Sequence, residues 1–149
     1  NKLLDILKIN NSMFLLGKGE CEAIAKEGAL KIKEISYYHS EGYSGSSLKH
    51  GPFALLDKNF PVILIAPKDK NYSKMKNAYQ EIKSREAPII VITDDENNTF
   101  ENNLVIPNNN TFNSLLSIIP IQLIAYYLSI DKNLNPDFPR NLAKSVVVE

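Results

Sequence analysis

The 149-residue chain contains one cysteine, no surplus of either charge and no metal-binding spacing. The lone Cys21 excludes an internal disulfide and suits a reducing compartment, which predicts a cytoplasmic protein. Lysine and arginine total 17, and aspartate and glutamate also total 17, so the charge balance does not favour a nucleic-acid partner. No zinc-ligand spacing and no nucleophile elbow occur, and we expect neither a metal nor a cofactor.

Long hydrophobic runs are also scarce. The longest, residues 115–130, contains Ser117, Pro120 and Gln122 and falls short of the roughly 18–20 apolar residues that a membrane span needs. We therefore expect a buried helix and no membrane partner. Residues 1–10 are amphipathic and mixed in charge, which does not resemble a cleavable signal.

Apolar runs alternate with helical patterns along the chain. Strands are predicted at 13–16, 61–66, 88–93 and 102–106, and helices at 1–9, 20–37, 73–85 and 112–130. Such alternation indicates an α/β fold with a mostly parallel sheet. The length predicts a single domain over 1–149.

Charged residues are concentrated in the predicted helix 20–37. Glu27, Lys31 and Glu34 stand at i, i+4 and i+7 and share one helix face. A solvated ion pair worth a few tenths of a kcal/mol is one interpretation. Because the helix is apolar around much of its girth, the alternative is a partly buried cluster, and such clusters in clefts are frequently functional.

Both histidines lie shortly after this helix. His50 sits at the Gly51-Pro52 bend, and an imidazole suits proton transfer to a sugar oxygen near neutral pH. A lone histidine is nevertheless more often structural than catalytic. His39 is expected to pack or to cap.

Two polar loops offer weaker signals for phosphate binding. Gly17-Lys18-Gly19 follows a strand and opens a helix, where free N–H groups point outward. It lacks the third glycine of the dinucleotide fingerprint, and a simple turn is favoured. Ser44, Ser46 and Ser47 carry hydroxyls that suit a phosphate, but a solvated loop is favoured there. Lys144, if buried among apolar residues, has a lowered pKa and can form a Schiff base with a carbonyl.

Three segments carry a family resemblance: EGALKIKEISY at 27–37, LKHGP at 48–52 and PRNLAKSV at 139–146. In this order and spacing they closely resemble the C-terminal part of glutamine–fructose-6-phosphate aminotransferases, also called glucosamine-6-phosphate synthases. The resemblance covers essentially the whole chain and implies the second sugar isomerase (SIS) module of that family. It implies a three-layer SIS fold, with a mostly parallel four- to five-stranded sheet and helices on both faces. Residues 132–149 would form a catalytic tail.

The resemblance also implies a reaction, the conversion of fructose 6-phosphate and glutamine-derived ammonia into glucosamine 6-phosphate. Lys144 would form a Schiff base with the ketose, and Glu34 would move a proton between C1 and C2. Lys31 would assist proton transfer, with Glu27 positioning it. His50 would open the sugar ring in the active site of the neighbouring subunit.

The same resemblance implies substrate contacts and partners. Arg140, Ala143 and Lys144 would bind the sugar phosphate, and the chain would work as a homodimer with an upstream SIS module and a glutaminase domain. The family's phosphate loop and catalytic cysteine are absent, and Ser46-Ser47 replace a usual Gly-Glu, so the chain alone is expected to be inactive. Two alternatives stay open: a glutamine-independent SIS isomerase or deglycase, and a sugar-phosphate-binding regulatory module.

Overall fold

The computed structural model describes residues 2–47 and 51–142, which form a parallel sheet with helices on both faces. The helices are α1 (Lys2–Leu7), α2 (Glu20–Ser36), α3 (Tyr72–Lys83), α4 (Asn113–Leu116) and α5 (Ile118–Asp131). The strands are β1 (Ser12–Gly17), β2 (His39–Ser44), β3 (Val62–Ile65), β4 (Ile89–Thr93) and β5 (Asn103–Val105), and a short 3₁₀ helix spans Pro52–Leu55. The strand order is β2-β1-β3-β4-β5, and every pair is parallel. The predicted α/β class is confirmed.

The central strand β1 shows why the sheet is buried on both sides. Successive side chains of a strand point to opposite faces. Met13 and Leu15 join the apolar cluster under α2 and α5, whereas Phe14 and Leu16 join the cluster under α3. Because both faces are covered, the strand is a continuous apolar run rather than an alternating one.

Helix α2 lies between the sheet and α5. A Cβ added at Gly28 would stand 2.7 Å from Ile121 Cγ2 on α5 and 3.0 Å from Leu15 Cδ2 on β1. The helix therefore contacts apolar atoms on two opposite sides, which confirms the predicted central helix with apolar residues around much of its girth. Glu34 lies in the last turn of α2, at the C-terminal end of this helix.

Strand β2 lies in a segment that the sequence pattern assigned to a loop. It occupies one edge of the sheet, and its buried Ser40 is bonded to α2: Ser40 Oγ donates to the Ala29 carbonyl at 2.7 Å. An added Cβ at Gly42 would stand 2.5 Å from Lys26 Cα, so this strand needs glycine where the helix backbone crosses it. A polar edge strand of this kind has no apolar signal in its sequence.

The last helical region differs from the predicted continuous, buried helix. It is interrupted at Ser117, because Pro120 has no N–H to donate to the carbonyl four residues earlier and its ring crowds that carbonyl. Among the described residues, α4, Ser117 and α5 together cover the 19 residues Asn113–Asp131, which by length and composition alone could span a membrane; 33% of the apolar part is buried. The expectation that the run is too short is therefore wrong. Core helices of globular proteins meet the same criterion.

One side of α5 packs on α2, and its opposite side is exposed. We call this side the outer face of α5; its exposed apolar residues are Ile119, Leu123, Tyr126, Tyr127 and Ile130. Contiguous exposed apolar side chains of this kind mark an interaction surface more often than a surface facing water.

Candidate functional site

The structure brings Glu27, Lys31 and Glu34 together on α2 as predicted. Lys31 Nζ donates to Glu34 Oε2 at 2.7 Å and lies 3.5 Å from Glu27 Oε1. The side chains of Glu27, Lys31 and Glu34 are 52%, 33% and 26% exposed. The group is thus partly buried, and Glu34 is its most sheltered member.

Lys31 is held as a cation between two carboxylates. Its hydrogen bond to Glu34 is the main cause that raises the pKa of Lys31, and burial opposes this effect. A charged lysine that bridges two carboxylates orients both of them and leaves other oxygen lone pairs available to a ligand. Such a carboxylate can accept or return a proton if a substrate carbon lies within reach.

The C-terminal segment after α5 crosses the end of α2, next to this cluster. The backbone N–H of Arg140 donates to Tyr37 Oη at 2.9 Å, and its guanidinium carbon lies 4.1 Å from the centre of the Tyr37 ring. Lys132 Nζ donates to the Ser36 carbonyl at 3.1 Å. Cations at this position are favourable, because the last carbonyls of a helix carry partial negative charge.

Lys132 itself was not among the predicted site residues. Burial, with Arg140 nearby, lowers the pKa of Lys132, and its Nζ stands 3.4 Å from the centre of the Tyr38 ring. Neither this lysine nor Tyr37 has a sequence signal, because each depends on where the segment after α5 returns to α2.

Three predicted site residues, His50, Ala143 and Lys144, lie outside the described residues. Their predicted roles stay predictions. The nearest described neighbours are Gly51, which begins the 3₁₀ turn region, and Leu142, which follows Arg140 in the tail.

The expectation that His39 packs or caps is wrong: it is an exposed residue of β2 whose Nδ1 lies 3.2 Å from Ser12 Oγ.

Cys21 is buried, and burial, helped by the negative charge of Asp69, raises the pKa of its thiol to about 12. A thiol that stays protonated is a poor nucleophile, as expected for a cysteine inside a helix.

A second polar cluster at the carboxyl end of β4 was missed by the sequence pattern. Asp94 and Asp95 are buried, and Asp95 accepts hydrogen bonds from Tyr72 Oη at 2.7 Å and pairs with Lys68 Nζ at 3.1 Å. Burial and this hydrogen bond raise the pKa of Tyr72 to about 12. Asp94 accepts from the Lys68 backbone N–H and the Asn113 side-chain amide, so the cluster joins the loops after β3 and β4 to the start of α4.

Comparison with known proteins gives a consistent result for fold and sequence. The family model described as the SIS domain matches residues 6–131. The C-terminal domain of glucosamine-fructose-6-phosphate aminotransferase from Francisella tularensis superposes with a TM-score of 0.78 at 33% identity, covering 90% of this chain and 39% of that one.

Two full-length sequences extend the match. The glutamine–fructose-6-phosphate aminotransferase (isomerizing) of Brucella abortus is 45% identical over 97% of this chain. Glutamine–fructose-6-phosphate aminotransferase (isomerizing) 1 of Rattus norvegicus is 42% identical over 99% of this chain. These matches cover 25% and 22% of the two relatives, so the chain spans about a quarter of their length.

Proposed function

Because this chain belongs to the SIS domain family, we propose that it is the C-terminal isomerase module of a glutamine–fructose-6-phosphate aminotransferase. In the full-length protein it would help convert fructose 6-phosphate and glutamine-derived ammonia into glucosamine 6-phosphate. The extent of the similarity supports this reading, since matches to aminotransferases run over nearly the whole chain at 42% and 45% identity.

The observation that carries the proposal is the Glu27–Lys31–Glu34 cluster. Aldose–ketose exchange requires a carboxylate that moves a proton between adjacent carbons. Glu34 has the properties of that base: it is the most sheltered carboxylate of the cluster and is oriented by Lys31 at 2.7 Å. Lys31 would then assist proton transfer, and Glu27, 3.5 Å from Lys31 Nζ, would position it.

The second part of the site would come from the C-terminal tail. Arg140 contacts Tyr37, which follows the helix turn that carries Glu34. Lys144 is the fourth residue after Arg140 in the sequence, and four residues of extended chain span at most about 14 Å. We infer that Lys144 forms the Schiff base with the ketose, with Arg140 and Ala143 contributing to sugar-phosphate binding.

The proposed partners are an upstream SIS module and a glutaminase domain of the same polypeptide. The relatives are about four times as long as this chain. The outer face of α5 suits coverage by the upstream module, because its exposed residues are aliphatic and aromatic. We also propose a cytoplasmic homodimer in which His50 serves the active site of the neighbouring subunit.

Borohydride trapping tests this function in the full-length protein. Fructose 6-phosphate is added, the imine is reduced, and the modified lysine is identified by peptide mass mapping. We expect the adduct on Lys144. Glu34→Gln should still form the adduct but should lose turnover by about 10²–10⁴-fold, because proton transfer rather than imine formation is impaired.

The matched control is Glu22→Gln, on the same helix, where Glu22 pairs with Lys26 at 2.8 Å. This variant should keep wild-type turnover. An adduct that forms on this chain only when the upstream half is present would support a shared site. Absence of an adduct on Lys144 in protein shown to bind the sugar would contradict the Schiff-base assignment, and wild-type turnover by Glu34→Gln would contradict the base.

A further inference from the structure

Two loops far apart in sequence are joined at the carboxyl ends of β1 and β2. The parallel pairing of these strands ends at Gly17 and Ser44, and the N–H of Gly45 continues it by donating to the Gly17 carbonyl at 2.8 Å. Lys18 Nζ then donates to Ser46 Oγ at 2.9 Å. The lysine of the first loop and the serines of the second therefore form one polar group.

This group borders an open cavity of about 240 Å³ between the two loops and α3. The charged and hydroxyl-bearing side chains that line it are Lys18, Ser46, Lys74 and Glu81. Gly45 lets the loop lie directly on α3, because a Cβ at this position would stand 2.9 Å from Met75 Sδ. The position of the loop that forms one wall of the cavity is thus fixed by backbone pairing with Gly17 and by close packing on Met75.

The donors around the cavity outnumber its acceptors. An ammonium has three N–H donors, and Lys18 uses one of them on Ser46. Lys74 has no ion pair with any residue in the described part of the chain. Glu81 also lines the cavity, but it has an interaction partner of its own. Ser44 Oγ lies 3.0 Å from Ser46 Oγ and holds that hydroxyl in place.

From this arrangement we propose that the cavity binds a phosphate group, either inorganic phosphate or the phosphate of a small monoester. Lys18 and Lys74 would supply the charge, and Ser46 would donate a hydrogen bond. Ligands of open parallel sheets bind outside the carboxyl ends of the strands where the strand order reverses, which here is between β1 and β3. Lys18 follows β1, and Lys74 lies on α3, the helix that follows β3.

The proposed phosphate site is separate from the cluster around Glu34. Lys18 precedes the first turn of α2, and Glu34 lies in its last turn. Fourteen residues of α-helix between Glu20 and Glu34 place the two ends about 21 Å apart. A ligand in this cavity therefore does not contact the Glu27–Lys31–Glu34 cluster, and the proposal stands independently of the proposed reaction.

Competitive lysine acetylation of the full-length protein tests the site, because the reaction rate of each lysine is measured separately by peptide mass mapping. Samples contain inorganic phosphate, glucosamine 6-phosphate or sodium chloride at equal ionic strength. With phosphate at about ten times its dissociation constant, acetylation of Lys18 and Lys74 should slow by roughly tenfold. The exposed Lys58 serves as the internal reference and should not change.

Two variants complete the test. Ser46→Ala should abolish most of the protection, whereas Ser12→Ala, at the opposite end of the same strand pair, should retain it. Protection by both ligands would indicate recognition of the phosphate group, and protection by glucosamine 6-phosphate alone would indicate a sugar phosphate. No protection beyond that in chloride, equal slowing at Lys58, or unchanged protection in Ser46→Ala would each overturn the proposal.

Discussion

At the scale of single residues, the Glu27–Lys31–Glu34 cluster contributes little to stability compared with its proposed contribution to catalysis. Partly exposed ion pairs on a helix contribute only about 0.3–1 kcal/mol, since water screens them and ordering long side chains costs entropy. The side chains here are between 26% and 52% exposed. The cluster is therefore not what holds the fold together, and replacing its members should test the proposed role in proton transfer without unfolding the protein.

The variant Lys31→Met separates these two roles. At pH 8 we expect a loss of less than about 1 kcal/mol in the free energy of unfolding, measured with urea. The folded-state pKa of Lys31 lies above its ordinary value of 10.5, so its contribution is present below pH 10.5 and is lost as the pH rises through the folded pKa. The stability difference from wild type should consequently shrink at high pH.

Lys26→Met provides the comparison, because Lys26 pairs with Glu22 at 2.8 Å on the same helix. Both variants should lose similar, small amounts of stability at pH 8, but only Lys31→Met should lose turnover. A stability difference for Lys31→Met that grows at alkaline pH would contradict the assigned direction of the pKa change.

At the scale of elements, the helices and the apolar strands were predictable because each carries its own periodicity. Helix α2 and strands β1, β3 and β4 lie where the sequence pattern placed them, within a few residues. Strand β2 was missed because its polar composition does not predict a strand, and its extended conformation depends on pairing with β1. The polar His39–Ser44 segment is held by pairing with β1 and by the close approach of α2 at Gly42.

Two glycine substitutions measure how tightly α2 packs on its neighbours. In Gly42→Ala the new Cβ meets the Lys26 backbone at 2.5 Å, and backbone moves only at high cost. In Gly28→Ala it meets methyl groups of the Ile121 and Leu15 side chains, which shift more readily than backbone, and a gain of about 1 kcal/mol in helix propensity offsets part of the strain. Gly42→Ala should therefore destabilise the protein by about 1–3 kcal/mol and by more than Gly28→Ala.

Denaturant unfolding of both variants measures this order directly, with equal slopes against urea as the control that the unfolded states are comparable. A Gly28→Ala variant less stable than Gly42→Ala would show that the contact between α2 and α5 is less adaptable than the edge strand.

At the scale of the whole molecule, the proposed dimer predicts that two defective subunits complement each other. His50→Ala and Glu34→Gln full-length subunits should each be inactive. In randomly reassorted mixed dimers, one intact site forms in half of the molecules, so activity should recover to about a quarter of wild type. Mixing two batches of His50→Ala protein is the control and should give no recovery. Failure to recover in verified mixed dimers would count against a shared site.

The sequence by itself determined the α/β class, the order of most elements and the shared helix face of Glu27, Lys31 and Glu34. These features follow from the spacing of apolar and charged residues within each segment, which does not depend on what that segment packs against. Only the tertiary structure decided that β2 joins the sheet, that Arg140 returns to Tyr37 and that Lys18 meets Ser46. Each of these contacts joins residues that are distant in the chain, and their energies depend on packing partners that no local pattern encodes.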